Sequence, residues 1–465
     1  MRAQDINSWE DLGTPFFSLS TSNWALVPLE AWRRGLKVTL RPNARYTISD
    51  EYATYSFWQT RLTGVSGDRI AKLCDDKQAT REVLDAAGVP VPQGRLFTGA
   101  LDKAQIKQYA SDLGFPVCIK PNDWAKGRGV FPKVESAEEF AEVLDVLVDE
   151  LGCANVVVEQ HIPGKALRIF VAGGKAVSAT WAEAANVVGD GRSTITELVD
   201  EKVQARATNP HLRYSPLVLD DAAIEYLAEN GHVPTDVPSD GERIQLRAAA
   251  NLALGGDSWD ITESVSKKVA GVAIATVAAI PELRHAAIDL LADDPFSDDA
   301  AVYVNEINPS AGLGGHIYPG SGERHDVVGA IVDQYFPNTA AAEGSENWYF
   351  SLNQANRLFT ARVADEVAMA PMPSLRAPRW ATLRVLGDAK KLSVLRSALV
   401  GEFSKGKVHG RVTPVRDGQF DVFLAGEGPI VDAAEKTLRT LAGRRAVTVK
   451  PVSKMAFRAA AGFLV

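Results

Sequence analysis

The chain has 465 residues, 46% of them hydrophobic and 23% charged, a length that calls for about three structural units, each burying its own core. A net charge of −8 argues against a nucleic-acid partner, and no apolar run reaches the roughly 18–20 residues that a membrane span needs. Acidic residues stand in the opening "MRAQDINSWEDLG" where a secretory leader is positively charged, and the three cysteines, Cys74, Cys118 and Cys153, form no CxxC pair. We therefore expect a cytoplasmic protein whose thiols are reduced and packed as small hydrophobes.

In chain order, residues 22–66 read as short helix and strand pieces, with "NWALVPLEAWRRGLKVTL" passing from an apolar helix face through Gly35 into a strand. "DDKQATREVLDAAGVPVP" follows, with an N-cap at Asp75 or Asp76, apolar Ala79, Val83, Leu84 and Ala87 at helical spacing, and a stop at Gly88. Next come the strand "FPVCIKP", the loop "DWAKGRGV", a helix opened by a Ser136–Glu139 capping box, and the strand "ANVVVEQHI". Such alternation calls for a sheet with helices packed on it. A Gly189-Asp190-Gly191 turn leads to a helix capped by Thr194 and Glu197, and residues 205–245, mixing Pro, Asp and Gly, read as an insertion without assignable elements. "SKKVAGVAIATVAAIPELRHAAIDLL" is a helix broken near Pro281 and followed by a strand through Asp289, and "AAVYVNEINPS" is a buried strand. Residues 338–378 read as a linker with a helix near 351–367, and the remainder has the order βαββαβ of a ferredoxin-like unit.

The sequence contains no GxxxxGK[ST] loop, no HExxH among its seven histidines and no GxSxG, so P-loop, metalloprotease and α/β-hydrolase chemistries lack their anchors. Lys77 opens a capped helix and Lys120 ends an apolar strand; each alone is more readily a solvated lysine. Lys126, Gly127, Arg128 and Gly129 lie in a loop between two strands, whose backbone N–H groups and cations suit phosphate oxygens, although a plain hairpin has the same glycines. Glu159 ends another buried strand, and the segment after it offers backbone groups to an adenine edge. Glu306 and Asn308, two apart on a strand, project from one face, and a neighbouring strand can bring Asp289 level with them. Three oxygen ligands of this kind suit a hard Mg²⁺ ion that also takes nucleotide phosphates and water.

Placed in order, "DDKQATREVLDAAGVPVPQG", "FPVCIKP", "KGRGV", "VVVEQHIPGKALRIFVAGGKAVSA", "VVGDGRSTITELV", "AAIDLL" and "VNEINPSAGLGGH" resemble the ATP-grasp superfamily of carboxylate–amine ligases. Within it they are most similar to the ATP-grasp portion of cyanophycin synthetases and related peptide ligases, over about residues 68–337. The resemblance implies an α/β (α+β) chain: an N-terminal unit over 1–67, an ATP-grasp domain over 68–337 with a lid at about 115–160, the linker, and the ferredoxin-like domain at 379–465. It implies that Lys77, Lys120 and Lys126 approach the nucleotide phosphates and that Lys126, Gly127, Arg128 and Gly129 form the lid loop. Glu159, Gln160, His161 and Ile162 would border the adenine, and Asp289, Glu306 and Asn308 would hold Mg²⁺, with Mn²⁺ an alternative. Arg168 and Arg247 would steady the acyl phosphate or a substrate carboxylate, with Lys126 also catalytic.

The reaction so implied uses ATP to join a small-molecule carboxylate, an amino acid or small peptide, to an amine, through an acyl phosphate and with release of ADP and phosphate. Phosphoryl transfer to a non-carboxylate acceptor and a non-catalytic ATP-binding regulator remain as alternatives, and a homodimer is the assembly suggested by analogy. Four positions depart from the cyanophycin-type pattern: Ala166 stands for an acidic residue, Ala182 and Ala184 for Arg and Pro, and Gly314 for an arginine, while His316 is kept. No Mur-ligase-like portion is present in this sequence, so we expect no polymer synthesis of the cyanophycin kind.

Overall fold

The computed structural model describes residues 1–9, 22–122, 124, 129–248, 250, 252–372, 379–403, 408–416, 418–443, 448–451, 459–460 and 463–464. They fall into two compact units, Met1–Glu10 with Trp58–Pro337, and Asp11–Phe57 with Asn338–Val465. Among the described residues no helix is long and apolar enough to cross a membrane, and all three cysteines are free and buried.

Two larger antiparallel sheets, beside the small pairing of Asn186–Val188 with Arg243–Gln245, form the described part of the unit containing Trp58–Pro337. The first runs, edge to edge, Gly94–Thr98, Asn155–Gln160, Val117–Pro121, Phe131–Val134. Val117–Pro121 is an inner strand with every residue buried, as its unbroken apolar run requires. Helices Lys103–Leu113 and Ala137–Asp145 supply Ile106, Ala110, Phe140 and Leu144 to its core. The Ser136 hydroxyl caps the second helix by accepting from the Glu139 N–H, but the Glu139 carboxylate turns to the N–H of Glu135, so only one arm of the capping box closes. The Thr194–Glu197 box ahead of helix Ile195–Arg206 closes in both directions.

The second sheet runs Asp257–Asp260, Lys175–Glu183, Lys165–Ala172, His285–Ala292, Val302–Asn308. One face packs on helix Lys267–Ala278 through Leu167, Ile169, Ile288, Leu290 and Val304. Residues 205–245, without assignable elements in the sequence, contribute helix Asp221–Glu229 and strand Arg243–Gln245. Leu217, Leu227, Ile244 and Leu246 there close a small core with Ile195 and Leu198.

In the other unit, helix Ser22–Arg33 leads to a hairpin of Lys37–Arg41 and Arg45–Ser49. Leu40 of that hairpin pairs with Val367, so the 338–378 stretch donates a strand as well as the helix Leu352–Thr360. Strands Thr448–Pro451, Arg379–Leu386, Gln419–Gly426 and His409–Arg416 lie side by side in that order, with helices Ala389–Phe403 and Gly428–Gly443 burying Leu395, Leu399, Val431 and Leu438 against them.

Candidate functional site

The face of the second sheet opposite the Lys267–Ala278 helix carries a row of polar residues in direct register. Asp260 pairs with Thr180, Thr180 with Arg168, Arg168 with Asp289, and Asp289 with Glu306. Directly opposed residues share a face, so all five project together. The Arg168 guanidinium donates to both oxygens of Asp289, Nε to Oδ1 at 2.7 Å and Nη2 to Oδ2 at 2.8 Å, and Asn308 Nδ2 donates to the same Oδ2 at 2.8 Å. The Asp289 carboxylate in turn holds the Arg168 pKa above its ordinary value.

Glu306 accepts no hydrogen bond and forms no ion pair with any described residue. Although its side chain reaches solvent, the protein enclosing it pushes its carboxyl pKa up, as does the neighbouring Asp289 carboxylate, against the pull of Lys77, Arg168 and Lys120. Two carboxylates and a carboxamide on one face, one carboxylate lacking a partner among the described residues, fit a hard divalent cation that draws its remaining ligands from phosphate and water. No cluster of three or more His, Cys, Asp or Glu side chains forms a closed metal cage among the described residues. The donor set is of the open kind.

Register slips by one residue between Asp289 and Leu290, so Asn305 bulges out of the strand. The Lys120 ammonium donates to its Oδ1 at 3.4 Å. Lys120 also pairs with Glu159, whose second oxygen takes Arg81 Nη2 at 2.8 Å. Glu159 thus anchors two cations, and the side chains of Lys120 and Glu159 are only 8% and 7% exposed. These residues line a cleft together with Cys74, Lys77, Thr80 and Glu306. Sequence reasoning missed Arg81 and Asn305. Arg81 was within reach of it, four residues after Lys77 on the same helix face, whereas a bulge leaves no local signature.

Lys77 is the first residue of helix Lys77–Ala86, capped by Asp76, and its ammonium donates to the carbonyls of Asn122 at 2.7 Å and Trp124 at 3.3 Å. It therefore ties this helix to the backbone at Asn122 and Trp124, just after strand Val117–Pro121. Lys126, Gly127 and Arg128 lie outside the described residues; Gly129 takes φ +67°, and a Cβ there would come within 3.1 Å of Pro121 and Trp124. After Glu159, the N–H of Gln160 donates to Gln93 O at 2.8 Å and that of His161 to Pro116 O at 3.3 Å. Those two donors are engaged within the protein, while Ile162 is buried. Arg247 pairs with Asp220, the N-cap of helix Asp221–Glu229, at 2.6 Å.

The Gly314 departure has a local cause. A Cβ on that residue would sit 2.2 Å from His211 Nδ1, so the imidazole, supplied by the 205–245 segment, fills the space a side chain at 314 would enter. Burial, reinforced by Arg206 and Arg168, lowers the His211 pKa to about 4. His316 is deeper: its Nδ1 lies 2.8 Å from Ser178 Oγ, its ring stands edge-on to Phe170, and burial lowers its pKa to about 3.

No family model matches the chain. It is 33% identical over 341 residues to a cyanophycin synthetase of Trichormus variabilis, an alignment covering 72% of this chain and 37% of that protein. It is 28% identical over 275 residues to the glutathione biosynthesis bifunctional protein GshAB of Streptococcus thermophilus, covering 58% of this chain and 36% of the relative. Among solved structures, the bifunctional glutathione synthetase from Pasteurella multocida superposes with a TM-score of 0.50 at 24% identity, over 63% of this chain and 41% of that one. Fold, cleft and these likenesses place the chain in the ATP-grasp superfamily. Within that superfamily it is similar in sequence to the cyanophycin synthetases, of whose length it spans 37% in the Trichormus case.

Proposed function

We propose that the protein is an ATP-dependent carboxylate–amine ligase that makes an amide through an acyl phosphate, with an amino acid or small peptide as substrate. The observation that carries this is the row Arg168–Asp289–Glu306, joined by Asn308, at the edge of a cleft into which Lys120 also reaches. Asp289, Glu306 and Asn308 would hold a divalent ion, Mg²⁺ or Mn²⁺, which would supply positive charge against the ATP phosphates.

The chain's own groups then have separate tasks. Lys120, fixed by Glu159, presents a positive charge that cannot swing away, which suits a transferring phosphoryl group. Lys77, Lys126, Gly127, Arg128 and Gly129 would approach the phosphates. Arg168 has the planar fork that matches a carboxylate or acyl phosphate. A substrate carboxylate oxygen attacks the γ-phosphorus as the bond to the ADP oxygen breaks; the amine nitrogen then attacks the acyl carbon, phosphate departs, and the amine loses a proton. We read the C-terminal βαββαβ portion as a ferredoxin-like domain, the assembly as a homodimer and the compartment as the cytoplasm.

Incubation with ATP, Mg²⁺ and a panel of amino acids and dipeptides tests the reaction. ADP and phosphate should form in equal amounts with a product whose mass is that of the two substrates less one water. AMP with pyrophosphate would refute the acyl-phosphate route, and a stable phosphorylated product without an amide would make the protein a phosphotransferase.

A further inference from the structure

The Arg168–Asp289 pair is placed awkwardly for a purely structural bond. Elsewhere in the same unit Lys202 and Arg206 pair with Asp257 while 0–2% exposed, sealed in the interior. The Arg168 side chain is 40% exposed and that of Asp289 20%, and the pair lies one rung from Glu306, which lines the cleft. Its fork occupies both Asp289 oxygens, and Asn308 takes a further lone pair of one of them. Glu306, exposed and without a partner among the described residues, lies directly across the strand pair from Asp289. Beside Arg168 on the same face stand Ala166 two residues back on its strand and Ala182 two beyond Thr180 on the next. Both are too small to hem in the guanidinium.

Resting on the ligase reading above, we propose that Arg168 makes cation loading a precondition for gripping the substrate. In the cation-free protein its fork blocks Asp289. When Asp289 turns to a divalent ion, the guanidinium is released across the Ala166 and Ala182 shelf, where it holds the substrate carboxylate and then the acyl phosphate. The order of binding is thereby built into one side chain, with nucleotide and metal before carboxylate.

The test uses the full chain and Mn²⁺ alone, with free ion followed by electron paramagnetic resonance. Arg168→Lys keeps the charge but loses the fork. It should bind Mn²⁺ about tenfold more tightly than the unaltered protein, the scale expected when a bidentate charge-assisted pair no longer competes. Equal or weaker binding by Arg168→Lys overturns the proposal, because a simple electrostatic role depends on charge alone. Glu306→Gln separates the two readings: if it binds Mn²⁺ as tightly as the unaltered protein, the cation site itself is misassigned and this inference falls with it. In the unaltered protein, labelling of Arg168 by phenylglyoxal, located by peptide mass spectrometry, should speed up several-fold when Mn²⁺ is added and stay constant in Glu306→Gln. A rate that Mn²⁺ does not change in the unaltered protein contradicts release of the fork.

Discussion

Glu306 faces another carboxylate across one rung of a sheet and has no described partner, an arrangement that costs folding free energy unless something cationic arrives. Glu306→Gln therefore should leave the thermal unfolding temperature unchanged or slightly raised while lowering turnover by more than about a hundredfold, the scale of a lost transition-state charge contact. Unimpaired turnover would remove Glu306 from the site. Gly314 makes a different prediction at the same scale. Gly314→Ala drives a methyl group to 2.2 Å from the His211 ring and should cost about 1–3 kcal/mol in urea unfolding. Adding His211→Ala should recover most of that loss, since the two changes share one space. Additive losses in the double variant would show that the ring is not the obstacle.

At the scale of elements, the trio Lys120, Glu159 and Arg81 ties the inner strands of the first sheet to helix Lys77–Ala86. Glu159→Gln leaves two enclosed cations without their counter-charge and should cost about 3–5 kcal/mol, read as a lower urea midpoint. Much of this architecture was legible in the sequence because it is written locally: Asp76, Ser136 and Thr194 each cap the helix that follows them, and the run before Lys120 is apolar without interruption because both of its faces are buried. Glu306 and Asn308 were legible through the two-residue period of a strand, and Asp289 through its place in the next apolar run. The bulge at Asn305, the reach of Lys77 to the 122–124 carbonyls, and the Arg168 fork on Asp289 were not, since each depends on strands or loops distant in sequence meeting in a given register. The segment after Glu159 illustrates the same limit: the N–H groups of Gln160 and His161 pair with carbonyls of Gln93 and Pro116, contacts that no local order reveals.

At the scale of the whole molecule, the pairing of Leu40 with Val367 groups residues more than three hundred positions apart in one unit, a contact that no periodicity within either segment reveals. The unit containing Trp58–Pro337 also carries an acid sensitivity. His285 and His316 are buried and neutral, with pKa values lowered by burial to about 4 and about 3, below the 6.5 of an unfolded chain. Below pH 6.5 the unfolded state binds protons that the folded state refuses, so the stability they contribute is present above that pH and is lost as pH falls toward 4 and 3. Each can remove up to about 1.4 kcal/mol per pH unit, so the melting temperature should drop steadily from pH 6.5 to 5. A flat profile there would mean that these imidazoles titrate normally.

The central claim, that a substrate carboxylate is activated by direct attack on the γ-phosphorus of ATP, is tested most directly by isotope transfer. With a substrate whose carboxylate carries ¹⁸O, one labelled oxygen should pass into the released inorganic phosphate and none into the nucleotide. Label in AMP, or phosphate formed without label alongside amide product, would contradict the account.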